Sequence, residues 1–401
     1  MLLSEKVVLV AGVGPGLGQA VALRAAQNGA DVGTLEDLHT SATRLTGLDD
    51  FGADDYRDPM GVLLHAYGDE AALTPTGSKV TRALLRAALV SRLLSEAAWK
   101  QFPEYAAAPL PRPIFVTGLP RTGTTALHRL LTADPAHQGL ELWLTEAPQP
   151  RPPRSTWESN PIYAALQAGY EEHHETNPAF AGAHYTAADQ VEECWRLLRQ
   201  SMMSVSFECL AHIPSYAEWL SDQDWTAAYQ RHRRNLQLIG LHDRDRRWVL
   251  KNPSHLFALD ALLAAYPDAV VIQTHRVPRV AIASVCSLNA QACFGWSPVF
   301  RGQVLGRDQL ATWSRGLRRF AADRARHDPA HFIDVEYDDF VADPLGTVEA
   351  IYHRLGTPLT ASARARMTAP QSAARRPAHR YTLDDFGLTP AEVDAAFADI
   401  R

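Results

Sequence analysis

Lysine is scarce in this 401-residue chain: Lys6, Lys79, Lys100 and Lys251 are the only four, and arginine supplies the rest of the 39 basic residues. A lysine kept at a functional position therefore stands out against that background. Cysteine is also sparse, and Cys194, Cys209, Cys286 and Cys293 form no CxxC pair. That pattern excludes a disulfide framework or cysteine zinc site and implies buried, inert thiols. The formal net charge of −6 lacks the basic excess of a general nucleic-acid binder. No run reaches the roughly 18 apolar residues of a membrane helix. Glu5 and Lys6 precede a short strand-like run, unlike the basic-then-apolar plan of a signal peptide. A cytoplasmic protein is expected, with no stable membrane insertion; a homo-oligomer is compatible with the sequence. Apolar residues at 46% and charged residues at 21% are ordinary globular usage, and the length suffices for one large α/β domain or two smaller ones.

The first recognisable unit is a β-branched run at residues 7–11, then GVGPGLG at 12–18 and a helical pattern. The spacing Gly12-x-x-x-Gly16-x-Gly18 resembles the opening of short-chain dehydrogenases, where glycine lets backbone approach a pyrophosphate. The later strands of such a site do not follow, and no Tyr-x-x-x-Lys pair exists anywhere. Residues 1–33 are thus expected to be a Rossmann-like βα fragment, and residues 34–401 a separate domain.

Within that domain, strand patterns at 114–117, 248–250, 269–274 and 331–337 alternate with helical ones at 124–132, 255–265, from about 280, and at 344–355. Amphipathic helices are expected between 41 and 109, helical pattern dominates 187–241, and PQPRPPRS at 148–155 must be irregular. Alternation of this kind implies a parallel sheet covered on both faces.

The chemistry is concentrated in IFVTGLPRTGTT, residues 114–125. A strand runs into a glycine-bearing loop and then a helix, whose unpaired N–H groups can cradle an oxyanion. The glycine spacing is that of a Walker A loop, but Thr124 occupies the lysine position and the cation, Arg121, sits inside the loop. A kinase or ATPase wants that lysine on its phosphates. A second pair, Arg276 and Ser284, follows the strand at 269–274; a guanidinium fork and a hydroxyl suit a phosphate monoester. Lys251 follows the strand at 248–250.

PRTGTT resembles the phosphosulfate-binding loop of sulfotransferases, in the arginine-bearing version of tyrosylprotein and many bacterial, particularly actinobacterial, members. The likeness extends from about Thr46 to the C-terminus through RRWVLKNPSHLFALDALLAAYPDA, THRVPRVAIASVCSL and HRYTLDDFGL. It implies an α/β, P-loop NTPase-like parallel sheet flanked by helices, with a largely helical acceptor-binding part. It further implies transfer of the sulfuryl group of 3′-phosphoadenosine 5′-phosphosulfate (PAPS) to a hydroxyl, releasing the bisphosphate PAP, with no metal. Arg121, Thr122, Gly123, Thr124 and Thr125 would hold the 5′ end, Arg276 and Ser284 the 3′-phosphate, and Lys251 the leaving oxygen. Arg375 and Arg376 resemble a basic loop closing over the 3′-phosphate.

The base that takes the acceptor proton is left between Glu141, Glu146 and His255. Many bacterial relatives carry a glutamate directly after the tryptophan of this region, where Leu144 stands here. The acceptor is expected to be a small molecule, lipid, glycolipid or other carbohydrate. Trp195, Phe207, Tyr216 and Trp219 would line its pocket together with the 148–155 loop. The alternatives are a P-loop kinase or ATPase and a catalytically silent nucleotide-binding protein.

Overall fold

The computed structural model describes residues 32–176, 186–369 and 381–400. The dehydrogenase-like fragment, apart from its last two residues, lies outside these, as do Arg375 and Arg376. Among the described residues five strands form one parallel sheet: β1 (Ile114–Gly118), β2 (His137–Gln138), β3 (Arg247–Lys251), β4 (Val270–His275) and β5 (Phe332–Glu336), in the spatial order β2-β3-β1-β4-β5. The chain builds β2 and β3 to one side of β1 and β4 and β5 to the other. Strand order therefore reverses at β1, and α/β ligands bind outside the carboxyl ends of strands at such a point. The register sets Val116 beside Lys251 and Gly118 beside Thr274, so the ends of three strands converge.

Period-two alternation divides the core between the two faces. Ile114, Val116, Val249 and Ile272 pack with Leu127 and Leu131 of helix Thr124–Thr132 and with Val348 and Ile351 of helix Pro344–Leu355. Phe115, Leu250 and Val271 belong to the larger core on the other face, with Leu262 of helix Leu259–Ala265 and Trp313 and Phe320 of helix Gly302–Arg324. All four cysteines are free and buried, which raises the pKa of each thiol. No helix among the described residues is long and apolar enough to cross a membrane.

Two local expectations need correction. The helix expected over 255–265 is a 3-10 turn, Pro253–Phe257, followed by helix Leu259–Ala265. Asn252 caps the turn, its Oδ1 accepting from Ser254 N–H at 2.9 Å. Between 187 and 241 only Trp195–Arg199, Pro214–Ser221 and Thr226–Ile239 are α-helical. The stretch at 200–213 is turned instead, closed by Tyr216 Oη, which accepts from Ser204 N–H and donates to the Met202 carbonyl.

The helical side is locked by Arg92 on the long helix Pro75–Gln101. Its side chain is fully buried and donates to the carbonyls of Phe51 (2.6 Å) and Gln200 (3.0 Å), to Ala53, and to Asp55 Oδ1 at 2.6 Å. Arg92→Ala would leave these acceptors unsatisfied. Urea denaturation is expected to show a loss of about 3–5 kcal/mol, and a loss below ~1 kcal/mol would contradict this role.

Candidate active site

The loop begins where β1 stops. Gly118 has φ 139°, and a Cβ there would fall 2.5 Å from both the carbonyl oxygen and Oγ1 of Thr274, so only glycine lets β1 lie this close to β4. Thr122 pins the loop from inside: its Oγ1 donates to the Leu119 carbonyl and bonds Thr274 Oγ1, both at 2.6 Å. Arg121 sits in left-handed backbone at φ 71°, a sparsely populated conformation for a non-glycine residue. Gly123, at φ 85°, is the N-cap of helix Thr124–Thr132, and no side chain among the described residues caps that helix. The first intrahelical bond is Leu127 N–H to the Gly123 carbonyl at 3.0 Å, so the N–H groups of Thr124, Thr125 and Ala126 precede it. They carry the positive end of the helix dipole, a seat for an anion.

A second wall adjoins the loop. Arg121 Nε donates to Ser284 Oγ at 3.0 Å, and Arg276 Nη1 donates to the Arg121 carbonyl at 2.8 Å. The Arg276 guanidinium lies over the Tyr337 ring, 3.9 Å from its centroid, so its direction is fixed by stacking. Tyr381 Oη also donates to Ser284 Oγ, at 2.8 Å. With two bonds accepted, the Ser284 hydroxyl keeps its own proton to donate to an anion. Arg276 likewise has N–H groups beyond the one used on Arg121.

The third component stands at the end of β3. Lys251 is 1% exposed, and its Nζ donates to Thr125 Oγ1 at 3.1 Å and is ion-paired with Glu193 Oε1. Cys194 N–H bonds the Lys251 carbonyl at 3.2 Å, which brings Glu193 to this strand end. Burial raises the Glu193 pKa, against the lowering effect of Lys251 and with a further upward push from Glu192.

Residues 113–361, more than half of the chain, match the family model described as the Sulfotransferase family. The chain belongs to the sulfotransferase family. Among solved structures it is similar to sulfotransferase STF1 from Mycobacterium tuberculosis H37Rv, with 60% identity, TM-score 0.87, and cover of 92% of this chain and 100% of that one. Sulfotransferase STF9 from Mycobacterium avium gives 29% identity and TM-score 0.81 over 91% of this chain and 95% of that one. A curated relative from Mycobacterium bovis, omega-hydroxy-beta-dihydromenaquinone-9 sulfotransferase Stf3, is 29% identical over 257 residues. That match covers 61% of this chain and 62% of the relative, so the chain spans under two thirds of that relative's length. The fold is the expected P-loop NTPase-like one, a parallel sheet flanked by helices.

For this member of the family, the structure assembles Arg121, Ser284 and Arg276 in one cluster and Lys251 with Thr125 in another, on the same loop and helix. Each of the three candidate bases is engaged by a partner other than Lys251. Glu141 accepts from Arg151 Nε at 3.0 Å, and Arg151 also holds Asp243, Gln138 and the Gly139 carbonyl. Glu146 is ion-paired with Arg196. His255 is fully buried with the core on the opposite sheet face from Lys251, edge-on to Phe115, and its Nδ1 bonds Tyr229 Oη at 2.7 Å. Desolvation there pushes its pKa well down, keeping the ring neutral.

Phe207 and Tyr216 are fully buried, so these two are core rather than pocket lining, while Trp195 and Trp219 are partly buried against that core. The reading from sequence missed Glu193, Tyr337 and, as a single contact, Tyr381. Only Tyr381 carried a signal, its place at the end of the basic segment.

Proposed function

We propose that this protein transfers the sulfuryl group of PAPS to the hydroxyl of a small-molecule or lipid-like acceptor, releasing PAP. One observation carries the reading: the loop cation and the Arg276–Ser284 element share a wall, Arg121 being bonded to Ser284 by its side chain and to Arg276 by its carbonyl. Two anion seats so joined fit a nucleotide with phosphate at both the 5′ and 3′ positions.

In this reading the N–H groups of Gly123, Thr124 and Thr125 hold the 5′ end, Thr122 shapes the loop, and Arg121 neutralises the bridging phosphate. Arg276 and Ser284 grip the 3′-phosphate, and Arg375 and Arg376, outside the described residues, would close over it. Lys251 has three N–H donors and spends two on Thr125 and Glu193. The third serves the oxygen on which charge develops as the S–O bond breaks, so no metal is invoked. The Stf3 relative, named for an omega-hydroxylated menaquinone, supports a lipid-like alcohol as the acceptor class.

A kinase reading is disfavoured by Thr124, since the loop has no lysine to meet a γ-phosphate. Calorimetry with PAP, ATP and NAD side by side tests the proposal. PAP is expected to bind at least about ten-fold tighter than ATP, one charge-assisted contact's worth of discrimination. Tight ATP or NAD binding without PAP binding would overturn it.

A further inference from the structure

The acceptor must lose a proton to some group, and none of the three candidates visible in sequence is bonded to Lys251. Glu141 is paired with Arg151 and Glu146 with Arg196, neither with Lys251, and His255 is sealed in the core on the far face of the sheet. The carboxylate in direct contact with Lys251 is Glu193.

We propose that Glu193 is the general base of the transfer, taking the acceptor hydroxyl proton on its Oε2 while Oε1 stays on Lys251. This rests on the sulfuryl-transfer reading and names a residue for its unassigned step. The Glu193 side chain is 13% exposed, and among the described residues Oε1 is the oxygen held by Lys251. Lys251 therefore touches both ends of the reaction: one N–H orients the base, and another meets the leaving group.

The step balances. The acceptor O–H bond breaks and its proton passes to Glu193, while the acceptor oxygen forms a bond to sulfur. The sulfur–oxygen bond to the 5′-phosphate breaks, and its electron pair stays on the phosphate oxygen beside Lys251. A base near neutrality works best when its pKa sits above the ordinary carboxylate range, and burial pushes Glu193 that way. The groups facing it are Lys251 from β3, which lowers its pKa, Glu192 beside it in the chain, which raises it, and Arg196 from the next helix, which lowers it. His128, behind Lys251 on the loop helix, is held by burial to about 3 and stays neutral.

The test compares wild type with Glu193→Gln and Glu193→Asp, using PAPS and three acceptors: dodecan-1-ol, 4-nitrophenol at a pH where it is ionised, and water, read as sulfate release. A general base matters for the alcohol and for water, which must be deprotonated, and not for the phenolate. Glu193→Gln is expected to lower kcat with dodecanol and with water by about 10²- to 10⁴-fold, and to change phenolate transfer by less than a few fold. The acidic limb of the alcohol pH profile should vanish with it. Glu193→Asp should restore part of the alcohol rate.

An unchanged alcohol and water rate in Glu193→Gln, or an equal loss with the phenolate, would overturn the assignment. PAP calorimetry on the same proteins separates the two claims. If wild type fails to bind PAP, the transfer reading itself fails. If both proteins bind PAP alike and the alcohol and water rates are equal, only the role of Glu193 falls.

Discussion

Lys251→Ala is expected to lower kcat by about 10²- to 10³-fold, the usual cost of removing one preorganised donor from developing negative charge. PAP affinity should change by only a few fold, because the loop N–H groups and the Arg276–Ser284 wall are untouched. Two effects follow from the one deletion. The leaving oxygen loses a cation held 1% exposed, where water screens little of its field. Glu193 also loses the stronger of the two cations that lower its pKa, leaving Arg196 against burial and Glu192.

The sign is fixed by those causes: the Glu193 pKa rises further, and the pH at which alcohol transfer becomes half-maximal moves upward. Single-turnover rates across pH, alongside calorimetry, read both effects. Lys251→Met, which keeps the volume, guards against a merely misfolded variant. A kcat within a few fold of wild type in both variants would remove Lys251 from the chemistry.

The chain's arginine bias singled out Lys251; nothing in the sequence singled out its partner. Glu193 and Lys251 are 58 residues apart, and they meet because the segment before helix Trp195–Arg199 crosses the end of β3 and bonds its backbone. Local spacing holds no trace of such a crossing. Helices with strong ends were legible to the residue. Thr124–Thr132 starts at left-handed Gly123, and Pro344–Leu355 starts at Asp343, whose side chain caps Gly346 N–H, and stops at left-handed Gly356. Both coincide with the expected 124–132 and 344–355.

Where the ends are weak, the pattern misled. The turn at 253–257 reads as the first turn of the helix that follows it, and the turned stretch at 200–213 carries enough apolar residues to mimic a helix. Helix Gly302–Arg324 escaped notice although Leu305, Trp313 and Phe320 on its buried face recur at helical spacing. Its exposed faces, dense in arginine, dilute that signal.

Arg276→Ala should abolish the preference for a 3′-phosphorylated nucleotide. Its guanidinium is aimed by stacking on Tyr337 and by one bond to the loop carbonyl. A phosphate there would gain a bidentate, charge-assisted contact, with about 1.5–3 kcal/mol expected per such bond. PAP affinity is therefore expected to fall by roughly ten- to a hundred-fold, while affinity for adenosine 5′-phosphate, which presents nothing to Arg276, stays within a few fold. Ser284→Ala removes one neutral donor and should cost less, about 0.5–1.5 kcal/mol.

Arg276→Lys keeps the charge but loses the planar fork and the stacking geometry, so it should recover only part of the loss. The comparison between nucleotides matters because Arg276 also supports the loop. If Arg276→Ala weakens PAP and adenosine 5′-phosphate equally, its role is to shape the loop, and the 3′-phosphate must be read by another group. If only PAP suffers, the wall joining Arg121, Ser284 and Arg276 is what separates this donor from every nucleotide that lacks a 3′-phosphate.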